Sequence, residues 1–443
     1  LLEEINYLVE YPTPLYGRID GEFLKLPVPA VVTPMRDHQR YYPVRNEDGS
    51  LMPYFLTVRN GGTKALENVQ HGNEKVLRAR LDDAKFFFEN DRKKTLEGHR
   101  DDLTRINYQE GMGDMRDKAD RLQKLTEAIG KDWGFTAEEA ADADRAAFLS
   151  KSDLATGMVT EFTELQGEMG KEYALLDGEK PEVAKAIFEQ YMPRFAGDIL
   201  PQQKIGRALS LADKLDNLAA TFLRGLIPTG SQDPFALRRQ TIGAVNILTD
   251  GKIHWDIRRG IEAALALLPG DEETKKTVLS QIEDFFRQRI KAIMLDEGIA
   301  YDIIDAVLAG PVDDIYALFL KARSMAESQL KDEAELRQAV TRLANITKGK
   351  TGGKVDPSLF TEDVEKKLQD AFEAVSAKAL PLFASYEYGK ALPALRELTA
   401  PINDYLDNVM VMVDDEAVKN NRISQLLATL ALFNTWGDFS KLV

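Results

Sequence analysis

Three observations predict a mainly α, multidomain protein that opens on a short β-containing remnant. Apolar residues recur at helical spacing almost everywhere beyond Asn60-Gly61-Gly62. Strand-like runs are confined to residues 1–62. The 443 residues suffice for about two to four domains at roughly 100–200 residues each.

Composition narrows the class. A hydrophobic fraction of 44% with 29% charged residues is that of a globular chain. No apolar run approaches the roughly 18 residues of a spanning helix, so no membrane partner is expected. The start, LLEEINYLVEYPTP, has no basic region followed by an apolar run, so it is not expected to be a signal peptide, and Tyr11-Pro12-Thr13-Pro14 reads as the entry to a domain already under way. The absence of cysteine excludes disulfides, thiolate metal sites and cysteine nucleophiles, and is compatible with a cytoplasmic location. A net charge of −15, from 57 Lys and Arg against 72 Asp and Glu, argues against a general nucleic-acid coat protein. Local basic patches matter more than the sum.

Taken in order, Ala30-Val31-Val32-Thr33, Tyr41–Arg45 and Tyr54–Val58 read as strands, the last two forming a hairpin around Asp48-Gly49. Leu77, Leu81, Ala84 and Phe88 make one face of an amphipathic helix. Gly111-Met112-Gly113 and Trp133-Gly134-Phe135 break two further helices, and Thr136 with Glu138 and Glu139 starts the next. Residues from about 145 to 300 read as a compact helical domain. Its long central helix carries Ile205, Ala208, Leu209, Ala212, Leu215, Ala219, Phe222 and Leu226. Another helix runs from about Glu272 to Leu295 and is stopped by Gly298. Ile346–Pro357, ITKGKTGGKVDP, reads as a flexible connector. Beyond it, Asp414 or Asp415 caps a helix with Ile423, Leu426, Leu427 and Leu430 inward.

Several constellations invite a chemical reading. Asp213, Asp216 and Asn217 stand at i, i+3 and i+4, so one helix face presents two carboxylates and an amide. A transition-metal site there would want imidazole nitrogen as well, yet His38, His71, His99 and His254 all lie outside 145–237 and no His-Asp dipeptide occurs. Glu161, Glu164 and Glu168 share a helical face that reads as solvated. Gly349-Lys350-Thr351 lacks the first glycine of a phosphate loop, since Ala344 holds that position. No two histidines stand three apart and no Glu-Arg dipeptide occurs, so neither class of aminoacyl-adenylate site leaves a trace and no catalytic residue is assigned.

Candidate RNA contacts are more numerous. Arg36, His38, Arg40 and Tyr41 offer either base-stacking and phosphate-binding side chains or an edge strand with Tyr41 packed inward. Arg224, Arg238, Arg239, Lys252, Arg258 and Arg259 form a basic island with only three Asp among them; its arginines are phosphate candidates. Lys419, Asn421 and Arg422 lie at a helix start and either read bases or solubilise the helix.

Two resemblances rest on these strings. Residues 211–226 resemble the last metal-ligand helix of the HD phosphohydrolase fold, which implies a degenerate HD-like face at Asp213 and Asp216 with no metal held. Nearly the whole chain resembles the beta subunit of the bacterial tetrameric glycyl-tRNA synthetase, through PVPAVVTPMRDHQRYYPVRNEDGSLMPYFLTVRNG (27–61), GNEKVLRARLDDAKFFFENDRK (72–93), EFTELQGEMGKEYA (161–174), LADKLDNLAATFLRGLIPTGSQDPFALRR (211–239), EGIAYDIIDAVLA (297–309) and YLDNVMVMVDDEAVKNNRISQLLATL (405–430). That family implies an N-terminally truncated chain in which residues 1–62 end an editing-domain-like β region. Residues 63–144 become a helical linker region, 145–300 an HD-like helical domain, and 301–443 a tRNA-body and anticodon-binding helical bundle. It further implies a non-catalytic chain that binds tRNA(Gly) and an alpha subunit in an alpha2beta2 assembly. ATP and Mg belong to alpha, and this chain holds no cofactor. Gln190 stands where members of that family often carry His. The alternative is a metal-dependent HD-type phosphohydrolase, and a third reading is a structural scaffold for alpha.

Overall fold

Pro12 and Pro14 have no amide hydrogen to donate, and the strand that contains them, β1 (Pro12–Arg18), lies at a sheet edge where none is needed. The antiparallel sheet has the order β1-β3-β2, with β2 at Tyr42–Arg45 and β3 at Leu51–Asn60. β1 pairs from Pro12 with Asn60 to Arg18 with Tyr54. The predicted hairpin forms: Arg45 faces Leu51, and the Asn46 amide donates to the Ser50 carbonyl across the turn (2.9 Å). The sequence reading missed β1, because its alternation runs through prolines, a threonine and a glycine in place of the usual apolar residues.

The computed structural model describes residues 1–230 and 232–442. The chain divides into two compact units, Leu1–Ile227 with Gly260–Lys275, and Pro228–Arg259 with Lys276–Val443. The boundaries drawn from sequence at 144/145 and 300/301 are not where these units part. The mainly α character follows the prediction.

The first unit contains α1 (Leu2–Leu8), the sheet, and α2 (Val28–Thr33). Ala30–Thr33, expected as a strand, is therefore helical. Pro29 sits in the first turn, where its fixed φ suits a helix, and the adjacent residues Ala30 and Val31 are both buried, which strand alternation cannot achieve. A π-helical turn, Pro34–His38, follows in place of an edge strand. α3 (Leu66–Asp91) buries Leu77, Leu81 and Ala84 as predicted. α4 (Leu96–His99) precedes α5 (Met115–Asp132), whose N-terminus is closed by a reciprocal capping box between Asp114 and Asp117. Thr136 and Glu139 form a second box at the start of α6 (Ala137–Leu149).

The acids at 161, 164 and 168 do not share a helical face. Glu161 ends α7 (Gly157–Glu161), Glu164 lies in a 3-10 turn, and Glu168 opens α8 (Glu168–Leu176). α9 (Pro181–Glu189) leads to α10 (Lys204–Leu223), which is buried on nearly every side and forms the middle of this unit against α5, α6 and α9.

In chain order α11 (Leu237–Asp250), α12 (Ile257–Ala266), α13 (Glu272–Asp296), α14 (Tyr301–Val307) and α15 (Ile315–Glu327) follow. Then come α16 (Ala334–Thr347), α17 (Asp363–Ala384), α18 (Leu392–Arg396), α19 (Thr399–Asn408) and α20 (Glu416–Asn434). Within the second unit α16 packs on α19 and α20, and α17 on α19. Asp415 caps α20, accepting from the amides of Ala417 and Val418. The Ile346–Pro357 segment is no free connector: α16 runs through Thr347, and the glycine-rich stretch after it lies against α20. Among the described residues no helix is long and apolar enough to cross a membrane.

Candidate functional site

α10 turns Asp213, Asp216 and Asn217 to one side, as their spacing requires. What meets them is a set of cations from earlier in the chain. Lys118 Nζ lies 2.9 Å from Asp213 Oδ1 and 2.9 Å from Asp216 Oδ2, and donates to Asn217 Oδ1 at 2.8 Å. The Arg121 guanidinium forks onto Asp216 at 2.6 and 3.2 Å, and Lys151 Nζ reaches Asp213 Oδ2 at 3.0 Å. Tyr108 closes the cluster, its hydroxyl donating to Asn217 (2.8 Å) and its ring lying 4.6 Å from the Lys118 ammonium.

Asp213 and Asp216 are both buried. Burial alone would raise their pKa values, but Lys118 and its neighbours override it and hold both carboxyls below the usual range. Lys118 is itself penalised by burial, and the two carboxylates more than compensate, raising its pKa. Lys214 is different. It donates to the Met192 carbonyl and to Ser210 Oγ, each at 2.7 Å. Burial, with Lys151 and Lys118 nearby and only Asp213 opposing, brings its pKa down to about 7.

This arrangement neutralises two carboxylates with ammonium and guanidinium groups. A divalent ion placed there would meet three cations, and among the described residues no group of three His, Cys, Asp or Glu side chains is arranged to hold one. Gln190 is buried and its amide donates to the Ile187 carbonyl. The cations were missed in the sequence, although a signal existed. Lys118 and Arg121 lie in line with the apolar stripe of α5, four residues before Leu122 and Leu125, where a charge must be either solvated at the margin or paired inside.

The basic island is spread over both units. Arg224, in the first, bonds Glu110 (3.2 Å). Arg258, in the second, bonds Glu283 (2.7 Å), and Arg259, although exposed, has interactions of its own. Arg238 and Arg239 stand at the start of α11. Asp233 accepts from the amides of Leu237 and Arg238, Arg238 Nη2 donates to the Gly230 carbonyl (2.6 Å), and among the described residues no carboxylate pairs with the Arg238 guanidinium. Arg239 is exposed. Near Arg238 lies Arg289 of α13, whose pKa is lowered first by burial and then by the Arg238 charge.

The N-terminal candidates are largely engaged within the fold. Arg36 pairs with Asp37 (2.8 Å), Arg40 with Glu4 (2.7 Å), and His38 lies 3.6 Å from Glu164 and stacks on Phe162. Tyr41 is packed inward, its ring stacked on Phe55 at a centroid distance of 4.5 Å, so the base-stacking option is closed to it.

Two of the three C-terminal candidates are also corrected. Arg422 is buried and forks onto the buried Glu365 at 3.0 and 3.2 Å, with further bonds to Thr361 Oγ1 and the Met410 carbonyl. Asn421 is buried and exchanges two hydrogen bonds with the backbone of Asp356, at 2.7 and 3.0 Å. Both side chains are buried in contacts of their own domain. Lys419 pairs with Glu416 one turn before it. The α20 face thus organises its own domain.

Comparison with known proteins places these observations in a family. The family model described as glycyl-tRNA synthetase beta subunit matches residues 1–309, and one described as DALR anticodon binding domain matches residues 336–437. The glycine–tRNA ligase beta subunit of Clostridioides difficile (strain 630) is 46% identical over 100% of this chain and 64% of its own length. Those of Desulforamulus reducens and Bacillus subtilis (strain 168) are 43% and 40% identical, again over 100% of this chain and 64% of their own length. The chain therefore spans about 64% of the length of the curated relatives it matches. A family model matched over residues 1–309 and relatives 40–46% identical along the whole chain lead to one conclusion: the chain belongs to the glycyl-tRNA synthetase beta subunit family.

Proposed function

We propose that this chain is the tRNA-binding, non-catalytic part of a glycine–tRNA ligase, acting in the cytoplasm. It positions tRNA(Gly) for ATP-dependent glycylation on a separate alpha subunit, in an alpha2beta2 assembly. The observation that carries this reading is the anticodon-binding-domain match at residues 336–437, in a chain 40–46% identical to proteins named glycine–tRNA ligase beta subunit. ATP and Mg act on the alpha subunit. The mechanism is orientation: contacts to the RNA body and anticodon arm hold the acceptor end where alpha reacts, converting a bimolecular encounter into a positioned one.

Arg238 and Arg239 are the best-supported phosphate contacts among the residues singled out in the sequence. Among the described residues no carboxylate is bonded to the Arg238 guanidinium, and an anion would relieve the like charge of Arg289 beside it, which Asp233 offsets only in part. The deciding experiment compares glycylation by alpha alone, alpha with full-length beta, and alpha with beta carrying Arg238→Ala and Arg239→Ala. The double variant is expected to weaken tRNA affinity and flatten its salt dependence by about two phosphate contacts, at roughly 0.7–0.9 in log–log slope each. Full activity of alpha without beta would defeat the positioning role, and unchanged affinity in the double variant would remove these arginines from it. The phosphohydrolase alternative finds no donor set among the described residues, and Asp213 and Asp216 are taken by Lys118, Lys151 and Arg121.

A further inference from the structure

Residues 346–355 carry Lys348, Lys350 and Lys354 and no acid, within a chain whose net charge is −15. Three glycines among them suit a mobile connector, yet the segment is held down along α20. The Lys350 amide donates to the Thr347 carbonyl (2.9 Å), and Gly349 turns the chain with φ +69°. Gly352 then lies so close to α20 that a Cβ there would stand 2.9 Å from Leu427 Cδ1 and 3.3 Å from Ser424 Cα. The Gly353 amide donates to Ser424 Oγ (2.8 Å). Asp356 is gripped at both its amide and its carbonyl by Asn421 (2.7 and 3.0 Å).

Two buried side chains, Ser424 and Asn421, thus spend their hydrogen bonds on fixing an exposed strap. All three lysines are exposed, and among the described residues none has a carboxylate within ion-pair reach. The charge of Lys354 is felt by Asp356, but that carboxylate is already bonded to the amide and hydroxyl of Ser358, at 2.9 and 2.7 Å. Ordering a glycine-rich segment forfeits conformational entropy. Here the ordering holds three unneutralised ammonium groups at fixed places on one domain. A polyanion is the partner such a surface fits.

We propose that the strap Lys348–Lys354, clamped on α20 by Asn421 and Ser424, is a phosphate-contacting element for RNA bound by the anticodon-type domain. The role assigned from sequence to Lys419, Asn421 and Arg422 thereby moves to the segment that Asn421 holds. The inference rests on the tRNA-binding reading above.

The test uses full-length beta assembled with alpha and a transcript of the glycine tRNA, with affinity measured across salt concentrations. Lys348→Gln/Lys350→Gln/Lys354→Gln alters exposed positions only. It is expected to lower the log–log salt slope by about two, at roughly 0.7–0.9 for each phosphate no longer neutralised, and to weaken binding at least tenfold at low salt. Gly352→Val keeps every charge but drives the strap off α20, and is expected to weaken binding as well. If the parent assembly binds the transcript and the triple variant matches its affinity and slope, the strap is not an RNA contact and the tRNA reading survives. If the parent assembly itself shows no salt-dependent binding, both readings fall together. If the triple variant binds RNA normally but no longer assembles with alpha, the strap is a protein-docking element and the inference is overturned.

Discussion

Replacing Lys118 with methionine removes the ammonium that bridges Asp213 and Asp216 while keeping the stem that packs in α5. Breaking a buried ion pair from one side typically costs about 3–5 kcal/mol, because a charge is left without compensation. Here neither carboxylate is stripped bare. Asp213 keeps Lys151 at 3.0 Å and Asp216 keeps Arg121 at 2.6 Å, and Asn217 Oδ1 keeps the Tyr108 hydroxyl. The expected loss is therefore at the lower end, about 3 kcal/mol. Urea unfolding at pH 7 reads it as a lower midpoint with an unchanged slope. Adding Asp213→Asn should recover part of the loss, with a coupling of about 1–3 kcal/mol between the two sites. Acid should erase the difference between the parent chain and Lys118→Met. The folded-state pKa values of Asp213 and Asp216 lie below their unfolded value, so their contribution is present above about pH 4 and lost as pH falls further. A cost under about 1 kcal/mol, or strict additivity of the two substitutions, would refute the claim that Lys118 is a counter-charge of the two carboxylates.

Two other outcomes follow from buried charges. Lys214 has a folded pKa of about 7 against about 10.4 unfolded. Between those values the unfolded state holds the extra proton, so stability rises with pH by up to a few kcal/mol. Lys214→Met should flatten that rise and unfold later than the parent chain at pH 6, and equal slopes from pH 7 to 9 would contradict it. In the second unit, Arg422→Met should cost about 3–5 kcal/mol by leaving Glu365 buried and unpaired. Glu365→Leu added to it should recover most of the loss, whereas Lys419→Ala, which breaks a surface pair with Glu416, should shift thermal unfolding by less than about 1 kcal/mol. Equal destabilisation by Arg422→Met and Lys419→Ala would show that Arg422 is not the organising residue.

Much of the helical layout was legible in the sequence because its causes are local. The Thr136–Glu139 capping box, the Asp415 cap and the Leu77, Leu81, Ala84 stripe each depend on residues within a few turns of one another. Ala30–Thr33 fits a strand as four small or β-branched residues, yet Pro29 lies in the first turn of a helix that begins at Val28. The strings that resemble the family are local patterns too, and all of them lie within the residues that the family models match.

What the linear sequence left open is which way a polar face looks and what it meets. Asp213 and Asp216 at i and i+3 look the same whether they face water, a metal or a lysine. Their partners Lys118 and Arg121 lie more than ninety residues away on another helix. Asn421 and Arg422 at a helix start suggest a solvated edge, until Glu365 and Asp356 fold over them. Helical periodicity assigns residues to faces, but the opposing surface comes from distant chain segments. So the sequence by itself determined most of the helices, several of their caps and the likeness to the family. Only the tertiary structure decided that the apparent metal face is a buried salt cluster, and that the apparent linker is a lysine strap held in place.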